Sequence, residues 1–123
     1  MSRWFAAVLV VRSRIQPGWD DDPLFDCQVR LLEAPTPEVA YENALALGKQ
    51  EECAYKNEEG NDVQWEFLGL HDLAELDEAP KSGGEVYSWL TRQADAFIVV
   101  PKERLTVFWL AANADRRAAD LLE

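Results

Sequence analysis

Histidine is almost missing: the sequence holds one, His71. That excludes metal motifs built on two histidines and active sites that join two histidines to a carboxylate. Cysteine is nearly as scarce. Cys27 and Cys53 lie far apart and outside any Cys-x-x-Cys arrangement, and a chain of 123 residues folds without a disulfide. Gly60, Gly69 and the Gly83-Gly84 pair are isolated turn glycines, so there is no phosphate-cradling loop. Ser13, Ser82 and Ser88 sit in no nucleophile-elbow context. Long hydrophobic runs are lacking too. The apolar stretch Trp4 to Val11 falls far short of the ~18 residues of a membrane span. No small-residue cleavage site follows it, so the expected location is the cytoplasm and no membrane partner is expected.

Positive charge is the other deficit. Twelve Lys and Arg face 23 Asp and Glu, a net charge of −11. Such a surface repels phosphate backbones, so nucleic acid is not an expected partner, while a basic protein would be attracted. Acidity for solubility alone is the plainer reading. Arg3, Arg12 and Arg14 form the basic cluster of the first half, and they are expected to screen an acidic neighbouring strand. What the chain has in plenty is aromatic bulk: five Trp must find a core, an interface or a pocket.

Read in order, Trp4 to Ser13 is a strand apolar on both faces, with Trp4, Ala6, Val8 and Val10 on one and Phe5, Ala7, Leu9 and Val11 on the other. Two-sided apolarity places it centrally, each face covered. Gln16 to Pro23 is a loop; its three adjacent aspartates, Asp20 to Asp22, lack the alternate spacing of a cation loop. Leu24 to Glu33 is a half-buried strand with Phe25, Cys27, Val29 and Leu31 on its apolar face. Thr36 and Pro37 start a helix expected to reach about Tyr55, with Ala40, Ala44 and Gly48 as a small-residue stripe for close approach to a sheet. A turn over Asn57 to Asp62 leads to a strand from Val63 to Leu68. Gly69 marks a bulge, after which Leu70 to Leu76 resumes in a different phase. A further strand is expected over Glu85 to Leu90. Leu105, Phe108, Trp109 and Ala112 have helical spacing, which favours a helix from Pro101 to about Leu122, a hairpin after Pro101 being the alternative.

The resulting fold class is α+β: a four-stranded antiparallel sheet in the order strand-strand-helix-strand-strand, one packed helix, and a helical C-terminal extension. Trp4-Phe5, Pro23-Leu24-Phe25, the Ala40, Ala44, Gly48 series and Glu51-Glu52 are followed by Tyr55-Lys56-Asn57, Gly60, Val63, Trp65, Phe67 and then Gly84-x-Val86-Tyr87-Ser88. In these residues the chain resembles a bacterial family catalogued as domain of unknown function number 4288. The resemblance spans roughly residues 3–92. It implies a strand-strand-helix-strand-strand domain with no assigned activity, a domain boundary near Trp89 or Arg92, and an extension over 93–123 that packs on the same domain or on a second subunit. The family often carries another residue in place of Cys53.

Two candidate surfaces follow. Tyr55, Lys56, Asn57 and Trp65, with Glu51 and Glu52 nearby, make a candidate ligand pocket; alternatively Tyr55 packs, Lys56 complements the helix dipole and Asn57 caps the helix. The second surface is apolar. One helix cannot cover both faces of the first strand, so either the extension or a second copy must, and Phe97, Phe108 and Trp109 supply the bulk for such an interface. The expected function is a non-catalytic interaction module that self-associates as a homodimer and meets a basic partner. The alternative is a small enzyme using carboxylates such as Glu51, Glu52, Asp72 and Glu75, with or without a metal. A Cys-His pair of Cys27 or Cys53 with His71, oriented by Asp72, is permitted but not suggested. No cofactor or resident metal is expected.

Overall fold

Seven consecutive residues, Phe5 to Val11, are each at most 2 % exposed, as expected for a strand apolar on both faces. In the computed structural model, which describes residues 2–15, 24–88 and 99–112, they form the middle of β1, Arg3–Ile15. β1 is flanked by β2, Phe25–Ala34, and by β4, Asp62–Glu75, both antiparallel to it. The short β3, Cys53–Lys56, pairs with the start of β4, giving the order β2-β1-β4-β3. Arg3 pairs with Glu75 at 2.6 Å, and Arg12 and Arg14 both reach Glu66, so the basic cluster does screen an acidic neighbouring strand.

Between β2 and β3 runs α1, Pro37–Gln50. The Thr36 side chain accepts a hydrogen bond from the Val39 amide, and Pro37 occupies the first turn, where its missing N–H costs nothing. The small-residue stripe is the buried side of the helix: Ala40, Ala44 and Gly48 all face the sheet. Gly48 is required there because a Cβ would overlap the ring of Phe67 on β4.

The structure corrects the third and fourth strands. The helix stops at Gln50 rather than near Tyr55, and residues 53–56 turn back as β3. Continuing the helix would leave the opening of β4 unpaired on that side; β3 instead sets Tyr55 opposite Val63 and Cys53 opposite Trp65. As the bulge expected at Gly69 implied, β4 is one strand bent at Gly69, whose φ of +145° and close packing against Val99 disfavour a side chain. The register against β1 shifts on either side of that bend. The strand expected over 85–90 does not form across 85–88; Tyr87 instead donates to Asp72, and residues 89 and 90 lie outside the described residues.

The C-terminal segment contributes a 3-10 turn, Lys102–Arg104, and a short helix α2, Thr106–Ala112. The expected helix therefore begins later than Pro101, and its continuation beyond 112 lies outside the described residues. Leu105 is buried with Phe5, Ala7, Leu9, Ala40, Ala44, Leu70 and Leu73, and Val100, Val107 and Phe108 pack against that cluster. This part of the extension therefore packs on the helix side of the sheet.

Candidate functional site

The six residues singled out around the Glu51 to Trp65 turn do not converge. Glu51 caps α1 and is held by Arg30 at 2.7 Å and by Gln28, both on β2. The Arg30 hydrogen bond, then that of Gln28, keeps its carboxyl below the usual range. Glu52 turns the other way and accepts from the Phe67 amide at 3.1 Å. Tyr55 and Trp65 lie on facing strands, the indole Nε1 donating to the Tyr55 hydroxyl at 3.3 Å. Lys56 pairs with Asp62 across the hairpin. Asn57 is not a helix cap: its side-chain oxygen accepts from the Glu59 and Asn61 amides, and Gly60 at φ +82° completes the turn. Each residue serves the hairpin or ties α1 to the sheet. The shallow hollow here, about 440 Å³, includes Glu52 and Trp65 of the six.

A cluster that spacing did not reveal lies at Asp72, on β4 next to the bend. Its Oδ1 accepts from the amides of Leu73 and Thr106, and its Oδ2 from the hydroxyls of Tyr87 and Thr106, at 2.7–2.8 Å. Burial, reinforced by Asp72, raises the Tyr87 phenol above its ordinary range, so it stays a donor. The sequence signal was a carboxylate between the core residues Leu70 and Leu73, which must find donors once partly buried. Both oxygens being committed, Asp72 is not placed to orient a Cys-His pair; β1 also stands between Cys27 on β2 and His71 on β4. The cleft beside Asp72, about 410 Å³, is lined by Glu75, Asp77, Glu78, Glu85, Val86 and Tyr87 among others. Three of its carboxylates are paired, Glu75 with Arg3, Glu78 with Lys81 and Glu85 with the Ser88 hydroxyl. The Arg3 hydrogen bond holds Glu75 below the usual carboxyl range. No group of three or more His, Cys, Asp or Glu suited to a metal occurs among the described residues.

The remaining surface is the sheet face opposite α1. Register places Phe25, Cys27, Val29 and Leu31 of β2 beside Arg12, Val10, Val8 and Ala6 of β1 on that face. The β1 residues Ala6, Val8 and Val10 are buried, yet Phe25, Val29 and Leu31 are 53, 44 and 42 % exposed. Of the interface residues expected from sequence, Phe108 packs edge-on against Tyr41 in the core and Trp109 is 43 % exposed. Phe97 lies outside the described residues.

The family model described as Domain of unknown function (DUF4288) matches residues 4–88. The chain belongs to that family. No curated protein and no solved structure matches it. The DUF4288 match takes in the whole sheet, α1, Asp72 and Tyr87, and ends before Thr106, so Asp72 fastens α2 to the family domain. No helix among the described residues is long and apolar enough to cross a membrane.

Proposed function

We propose that this DUF4288 chain is a non-catalytic interaction module that self-associates, with β2 as the associating element. The observation that carries the reading is the strip of Phe25, Val29 and Leu31, each 42 % exposed or more, on the ten-residue outer strand of the sheet. Covering a half-exposed side chain of this kind contributes on the order of 1 kcal/mol, and a two-fold pairing counts each of them twice. Sedimentation velocity over a concentration series tests it: the full chain shifts toward a dimer, and F25D/L31D holds it as a monomer. A wild-type chain that stays monomeric at high micromolar concentration overturns the reading.

A carboxylate enzyme at the Glu51 to Trp65 turn is the less supported alternative, because Glu51 and Glu52 already serve Arg30 and the Phe67 amide. A basic protein is the partner that the net charge of −11 favours. Its association rate would fall steeply with added salt, and an association rate insensitive to salt would remove it.

A further inference from the structure

We infer that two copies of the chain join their sheets through β2, antiparallel, with the two-fold axis passing through Gln28. This rests on the self-association reading above and adds the register.

β2 is an outer strand of ten residues with no Pro, Gly or Lys to blunt its edge, its charges being Asp26, Arg30 and Glu33. Among the described residues no strand pairs with its outer side. The amide of Ser13 donates to the carbonyl of Leu24, and the β1–β2 ladder is unshifted from there to Ala34. Main-chain groups alternate along such a ladder, so those of the even-numbered residues turn to β1 and those of Phe25, Cys27, Val29, Leu31 and Glu33 turn outward. Side chains alternate as well. Asp26, Gln28 and Arg30 stand on the α1 face, and Phe25, Cys27, Val29 and Leu31 on the other.

A two-fold normal to a continuous antiparallel sheet must pass through one residue, and that residue decides which side chains meet. An axis at Asp26 or at Arg30 brings like charges face to face. At Cys27 it sets Arg30 opposite Leu24 of the partner subunit. At Val29 it sets Asp26 opposite Leu32 of the partner subunit and Phe25 opposite Glu33 of the partner subunit. At Gln28 the strand complements itself. Asp26 faces Arg30 of the partner subunit, Phe25 faces Leu31 of the partner subunit, and Cys27 faces Val29 of the partner subunit, each pair occurring twice. The outward main-chain groups of those odd residues then meet as hydrogen-bonded pairs. Arg30 uses Nη1 for both its bonds, to Gln28 and Glu51, so its planar fork can take a second carboxylate. Asp26 is exposed, its oxygen accepting from Gln28.

Directed crosslinking of the full chain tests the register. In a C27A/C53A background, Q28C brings two thiols together across a close, non-hydrogen-bonded pair, whereas V29C leaves them on a diagonal. Mild oxidation with diamide is expected to link Q28C into a reducible dimer at least ~10-fold faster than V29C, with sedimentation confirming that both variants still associate. D26R, which sets Arg against Arg30 of the partner subunit, is expected to weaken the dimer ~10-fold. If the wild type dimerises but V29C links as fast as Q28C, or D26R changes nothing, the register is wrong and self-association stands. If the wild type is monomeric, both fall.

Discussion

The two edges of this sheet are finished in opposite ways. β3 is four residues long and closed by a turn in which Asn57 satisfies two amides, with Lys56 paired to Asp62 and Trp65 bonded to Tyr55. β2 is ten residues long, shows the apolar strip Phe25, Val29 and Leu31 on one face, and turns Arg30 on the other face to Glu51 at the end of α1. A short, charged edge offers little to a passing strand, whereas a long apolar one offers a template. The difference teaches where an interaction module would interact. The end of α1 is tied to β2 and β4, since Glu51 reaches Arg30 and the next residue, Glu52, reaches the Phe67 amide.

Breaking the β2 side has the largest expected effect. F25D/L31D is expected to weaken self-association at least ~100-fold, since the register sets the two new carboxylates of each cross-strand pair face to face, while thermal unfolding of the monomer barely changes. An equal loss of thermal stability would mean that those side chains belong to the core instead. Next comes G48L, which forces a side chain into the Phe67 ring and should cost about 1–3 kcal/mol in denaturant unfolding. Full stability in that variant would show that α1 does not need its close approach. N57A removes the turn acceptor on the β3 side and should cost about 1 kcal/mol, leaving the oligomeric state untouched.

The smallest effect concerns pH. The Glu51 carboxyl is lowered in the folded chain, so its contribution is present above the ordinary carboxyl range near ~4.3 and is lost as pH falls through the folded value. Urea unfolding of wild type and E51Q should therefore differ slightly at pH 7, and the gap should narrow as pH falls below the ordinary carboxyl range. A gap that persists in acid would mean the carboxylate charge is not the cause.

The strongly patterned parts of the fold were legible in the residues. β1 announced its central place by two apolar faces, α1 by Thr36-Pro37 and by small residues recurring every fourth position, and the bend of β4 by Gly69. β3 was not legible, because four residues are too few to show alternation and Cys53 to Lys56 prolong the helix pattern without conflict. Its identity is set by β4, which supplies the pairing. The six residues of the candidate site are dispersed for a related reason. Neighbours in a turn look clustered in sequence, but Glu51 closes α1 and reaches Arg30 on β2, whereas Glu52 leads into β3 and reaches the Phe67 amide, so they part company. Asp72 carried a readable sign, a carboxylate between the core residues Leu70 and Leu73, although its donors Tyr87 and Thr106 are 15 and 34 residues away and could not be named in advance.

Residue-resolved amide hydrogen exchange of the full chain at low and high concentration weighs the two edges in one experiment. Exchange at Cys27, Val29 and Leu31 should slow as concentration rises, with Ala54 and Tyr55 on β3 unchanged. Rates at β2 that do not depend on concentration, or slowing confined to β3, would contradict the assignment of β2 as the surface through which the chain meets its copy.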